Sequence, residues 1–180
     1  MAKSDRKTID KVFILLGVAL TAVLLVTGGI AWYAYRFADS SVKTELGAQK
    51  VYFPAKGSAS FSPTEFPDLQ KYAGQLVDNG PKAKAYADGF IGRHLEKIAD
   101  GKTYSEVSTL AMQDPTNATL QQEKQTLFQG ETLRGLLLGD GYAYWTFGQI
   151  AMYGAIAAFV GSGVMAILVL LGVKHLARLK

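Results

Sequence analysis

Two long apolar stretches, residues 12–35 and 147–173, bracket a middle in which apolar positions recur at shorter, helix-like intervals. Neither stretch contains Asp, Glu, Lys, Arg or His. Each exceeds the roughly 20 residues that cross about 30 Å of hydrocarbon at about 1.5 Å per residue, so the pattern predicts two membrane-spanning helices. Between them, Ala83, Tyr86, Ala87, Phe90, His94, Leu95 and Ile98 recur at three- and four-residue spacing and predict a helix over residues 81–98, with Pro81 at its start and Asp100-Gly101 as a left-handed stop. Thr103 and Glu106 have capping-box spacing ahead of Val107, Leu110 and Ala111, which predicts a second helix over 103–112. A third is expected from an Asn117 cap to about Leu138, after which Gly139-Asp140-Gly141 should redirect the chain into the second span. Asn117-Ala118-Thr119 also matches a glycosylation sequon, but the cap is the preferred role.

The remainder of the middle is less regular. Residues 38–50 read as a polar extension of the first span and 51–54 as a brief extended piece ended by Pro54. Residues 56–67 form a loop rich in Gly, Ser and Pro, and 68–77 a short helix. The fold class is therefore all-α and membrane-bound: two antiparallel transmembrane helices flanking a mostly helical extracytoplasmic domain with little or no β. The expected partition is a basic tail over 1–11, a first span over 12–35, the domain over 36–141, a second span with an outer aromatic belt over 142–173, and a basic tail over 174–180.

Charge orients this plan. Lys3, Arg6, Lys7 and Lys11 precede the first span and Lys174, Arg178 and Lys180 follow the second, which by the positive-inside rule places both termini in the cytoplasm of a plasma membrane. Trp32, Tyr33 and Tyr35 close the first span while Tyr142, Tyr144 and Trp145 open the second, so both aromatic clusters fall at the outer interface. The net charge of +4 thus sits mainly in tails that meet anionic headgroups, and it does not indicate nucleic acid. A cleaved signal peptide has an apolar core of about 7–15 residues; the first run is longer and is read as retained.

The chain has no cysteine, which excludes thiolate catalysis, Cys-ligated zinc and iron–sulfur clusters. His94 and His175 lie on opposite sides of the expected membrane and cannot share a metal; His94 reads as a packed residue of its helix. No hydrolase elbow or phosphate loop occurs, so no catalytic residue, cofactor or metal is expected. In the second span Gly154, Ala158 and Gly161 form a small-residue face suited to helix packing, within the chain or between chains, with Gly17, Thr21, Gly28 and Gly29 as possible counterparts.

The order Ala85-Tyr86-Ala87, Ile91, His94, Gly101-Lys102-Thr103-Tyr104-Ser105-Glu106, Asp114-Pro115 and Leu133-Arg134, ahead of a span, resembles a family of small actinobacterial membrane proteins of unknown function with the same span–loop–span plan. The resemblance covers residues 85–173. Members often carry the automatic name aromatic ring-opening dioxygenase, which the single histidine of the domain does not support, because the usual iron site needs two. The resemblance marks Lys102, Tyr104 and Glu106, with His94, as candidate interaction residues. The function expected is a non-enzymatic accessory or scaffold subunit of a respiratory or cell-envelope assembly, in contact with lipid and with an integral-membrane partner or a second copy. The alternative is an extracytoplasmic sensor or carrier with an apolar pocket lined by Tyr86, Phe90, Tyr104 and Leu127; an enzyme completed by a partner chain ranks third.

Overall fold

The computed structural model describes residues 3–178, with side-chain surroundings from Arg6 onward; Lys180 of the second basic tail lies outside the described residues, and so do the side-chain surroundings of Lys3. The chain is almost entirely helical and no strand occurs among the described residues. The elements are α1 (Lys3–Ala48), a 3-10 turn (Gln70–Tyr72), α2 (Gly80–Lys84), a first π segment (Ala85–Gly92), α3 (Arg93–Ile98), α4 (Tyr104–Gln113), α5 (Ala118–Leu136), a second π segment (Leu137–Ala143) and α6 (Tyr144–Arg178). Two compact units result: Met1–Phe37 with Phe147–Lys180, and Ala38–Thr146.

The first unit is a pair of helices long and apolar enough to cross a membrane. On α1 the less exposed positions Lys7, Asp10, Ile14, Gly17, Thr21, Leu24, Gly28 and Ala31 alternate at three- and four-residue steps, and on α6 Gly148, Ala155 and Ser162 are buried at seven-residue intervals. A 3.5-residue period is the seam of two helices packed side by side. Pairings run in opposite order along the two chains, since Ile14 faces Gly172, Gly17 faces Val169, and Gly28 faces Phe159, so the helices are antiparallel. A Cβ on Gly17 would stand 2.7 Å from Val169, and one on Gly28 2.8 Å from Phe159; only glycine permits this approach. Two hydroxyls find partners within the seam, Thr21 Oγ1 donating to the Gly17 carbonyl at 2.8 Å and Ser162 Oγ to the Thr21 carbonyl at 3.4 Å.

The second unit is built around an aromatic core. Phe53, Phe61 and Phe66 are essentially fully buried, and Phe90 meets Phe61 edge-on at 5.6 Å. Tyr86 contacts Phe53 at 5.0 Å and Phe90 at 5.1 Å, and burial raises its hydroxyl pKa above the ordinary value. Residues 51–53 are extended as expected, but they pair with 75–77 through Phe53 N–H to Gln75 O at 2.9 Å and Val77 N–H to Val51 O at 2.8 Å. The expected helix over 68–77 therefore shrinks to the 3-10 turn. Gly74, at φ +69°, reverses the chain so that Val77 is delivered into the core instead of continuing a helix.

One further expectation is corrected. Gly139-Asp140-Gly141 does not break the chain: the second π segment carries α5 into α6, and residues Ala118–Arg178 form one helical run. No proline interrupts it, and Gly141 is buried where a Cβ would lie 2.9 Å from Ala83 and 3.2 Å from Leu46, so the glycine serves close packing and not a turn. At the end of α3 the left-handed residues are Asp100 (φ 52°) and Gly101 (φ 74°) together, and Gly101 N–H closes the turn onto Glu96 O at 2.8 Å. Asn79 caps α2 by accepting from Lys82 N–H, and Asn117 caps α5 by accepting from Leu120 N–H, as the spacing of Asn117 predicts.

Candidate functional site

An open cleft of about 630 Å³ lies in the second unit, between the first π segment with α3 on one side and the start of α4 with α5 on the other. Its floor is Leu95 and Leu127, both buried, and its walls carry Asp88, Arg93, Glu96, Lys102, Tyr104, Ser105, Glu131 and Arg134. The wall exists because α5 can press against α3 at Gly130, where a Cβ would stand 2.5 Å from Leu95. Across the cleft, Gly92 leaves room for the Arg134 guanidinium, whose Cζ would be 3.4 Å from a Cβ there.

Arg134 organises the site. Its Nε donates to the Ala87 carbonyl at 3.2 Å, its Nη1 to both oxygens of Glu131 at 2.9 Å, and its Nη2 to Asp88 Oδ1 at 3.4 Å. Asp88 also receives Lys84 Nζ at 2.8 Å; that hydrogen bond foremost, with Arg134 adding to it, holds the carboxyl below the usual carboxylate range against the opposing cost of burial. Arg93 is likewise committed, gripping both oxygens of Asp68 at 2.8 Å and lowering that carboxyl. The chemistry left open is different. Lys102 has a loose ion pair with the almost fully exposed Asp100 at 3.6 Å and a weaker electrostatic attraction to Glu106, and Glu96 has no ion pair among the described residues.

The residues singled out from the sequence separate. Lys102 and Tyr104 reach the cleft, and the Tyr104 ring lies 5.9 Å from Phe128 at its edge. Glu106 is turned back into its own helix start. Its Oε2 accepts the Thr103 N–H and the Thr103 hydroxyl, each at 2.8 Å, and the backbone bond first, then the hydroxyl, lowers its pKa. His94 is exposed, not packed in the core: its ring stacks on Phe90 at 6.4 Å and borders a separate depression of about 230 Å³ with Glu65 and Lys97. Tyr86 and Phe90 belong to the aromatic core, while Tyr104 and Leu127 line the cleft. In the first unit a Cβ on Gly154 would meet nothing within 4 Å, Ala158 is half-buried, and Gly161 faces Leu24 at 3.6 Å; the intrachain seam runs through Gly148, Ala155 and Ser162.

No family model, curated protein or solved structure matches the chain. Among the described residues, no group of three or more His, Asp or Glu side chains is arranged to hold a metal ion. Asp88, which helps tie the cleft together, carries no mark in the sequence, and Arg134 carries only its place in the Leu133-Arg134 pair. The available signal was an arginine inside the leucine-dense 133–138 stretch, since a charge on a half-buried helix face requires partners.

Proposed function

We propose that this chain is a two-pass plasma-membrane protein with both termini cytoplasmic and residues 38–146 outside, serving as a non-enzymatic accessory or scaffold subunit of a larger respiratory or cell-envelope assembly. The observation that carries the reading is the pair of apolar helices whose most hydrophobic windows are only 11% and 6% buried. A core helix of a water-soluble protein hides such a surface. Hydrocarbon, or another protein's membrane helix, is the environment that suits residues such as Phe13, Val26, Ile150 and Leu170, all more than half exposed.

The side chains of the domain support a structural role. Arg93 and Arg134 are spent on internal ties, Glu106 on a cap, and the one histidine of the domain stands apart from the polar cleft. The resemblance to small two-span actinobacterial proteins supports the same plan. Outward-facing Gly154, with open space at its Cβ position, leaves part of the small-residue face of α6 free for a partner helix or a second copy.

Extraction of the C-terminally tagged chain from native membranes in a mild non-ionic detergent, followed by size analysis and mass spectrometry, tests the proposal. Stable co-migration with an integral-membrane protein or with a second copy is expected. Migration as a single small particle with nothing attached would reject the assembly role.

A further inference from the structure

The cleft of the second unit has a charge arrangement that the anchoring role does not use. Four of its six charged side chains neutralise one another or a neighbour: Arg93 is held by Asp68, and Arg134 by Glu131 and Asp88. Of the remaining two, Glu96 has no ion pair among the described residues and Lys102 keeps the loose contact with exposed Asp100 at 3.6 Å; they carry opposite signs and line the same cavity above an apolar floor of Leu95 and Leu127. Tyr104 adds a half-exposed ring and a hydroxyl. A volume of about 630 Å³ falls within the range of about 300–1,000 Å³ typical of small-ligand sites. An anion alone would leave Glu96 unpaired beside it, and a cation alone would leave Lys102 with only its loose contact to Asp100.

We infer that the cleft binds a small zwitterion with an apolar body, its anionic group on Lys102 and its ammonium on Glu96. This goes beyond the proposed anchoring and assembly role and does not depend on it. The ligand class that meets all three demands is a short peptide with apolar side chains and free termini. Arg134 acts as a positioning residue, holding the α5 wall to the π segment so that both charges face one space.

The test is calorimetric titration of the full chain in a non-ionic detergent with four probes: leucyl-leucine, its N-acetyl form, its C-terminal amide, and glycerophosphoethanolamine. Leucyl-leucine should bind, and each capped dipeptide, as well as glycerophosphoethanolamine, a zwitterion without an apolar body, should bind at least about tenfold more weakly, as expected for loss of a charge-assisted hydrogen bond or of the apolar contact. Lys102→Gln should abolish the penalty for the amide while keeping that for the N-acetyl form, and Glu96→Gln the reverse. Both residues are exposed, so the variants keep the fold. Absence of leucyl-leucine binding, binding of glycerophosphoethanolamine as tight or tighter, or binding indifferent to the caps and to both variants would overturn the inference.

Discussion

Arg134 on α5 donates to the main-chain carbonyl of Ala87 at 3.2 Å, in the middle of a π segment. This contact joins residues 47 positions apart and fixes one wall of the cleft against the other. A planar guanidinium reaches that carbonyl, Glu131 and Asp88 from three separate nitrogens, whereas an ammonium presents its donors from a single one. Arg134→Ala is expected to destabilise the second unit by about 1.5–3 kcal/mol, the range for hydrogen bonds to charged groups, and Arg134→Lys to recover only part of it. Denaturant unfolding followed by circular dichroism checks both; equal stability of all three proteins would remove Arg134 from its role.

Gly80 makes a second tight contact, because a Cβ there would stand 2.5 Å from Trp145. Overpacking of this kind costs about 1–3 kcal/mol, and Gly80→Ala should show it together with a shift in Trp145 emission. Trp32→Phe supplies the background in which that emission is read alone. Gly139→Ala, where a Cβ meets nothing within 4 Å, should leave both signals unchanged.

The seam of the first unit predicts a cross-link. Ser162 and Thr21 face each other, and the chain has no native cysteine, so Thr21→Cys with Ser162→Cys should form an intramolecular bond on mild oxidation. Adding Gly17→Leu should depress its yield by wedging against Val169, whereas Gly154→Leu should not. Cross-linking between chains in preference to within one would contradict the antiparallel pairing.

Acid should weaken the second unit. The Asp68 carboxyl is held down chiefly by its bond to Arg93 and that of Asp88 chiefly by its bond to Lys84. A depressed carboxyl pKa in the folded state gives stability that is complete above the unfolded value near 4 and is lost as pH falls through the lowered folded values. Both side chains are more than a third exposed, so the effect is modest. Melting temperature should be flat from about pH 7 to 5 and fall below about pH 4. Asp68→Asn and Asp88→Asn should each make that fall shallower; an unchanged slope in both would contradict the assignment.

What could be read from the sequence was what is local. Uninterrupted apolar runs announce two long helices, and Thr103 with Glu106, or Asn117 ahead of α5, announce caps because the bonds close within one turn. The π segments carry no such mark, since an i→i+5 register has no composition of its own. The cleft is half legible: Lys102 and Tyr104 are marked in the sequence, but Asp88, Glu131 and Arg134 join them only through tertiary packing. Glu106 looked equally available from its spacing, and its cap consumes it. The face that α6 turns to α1 likewise depends on its partner, so Gly148, Ala155 and Ser162 could not be told from Gly154, Ala158 and Gly161 by small size alone.

The two-pass arrangement is tested most directly by labelling single-cysteine variants in intact cells with a membrane-impermeant maleimide, on a chain with no cysteine of its own. Ser60→Cys, on the exposed loop of the second unit, should react without permeabilisation, and Lys174→Cys, beyond the apolar part of α6, only after it. Reaction of Lys174→Cys in intact cells with Ser60→Cys protected would contradict the account.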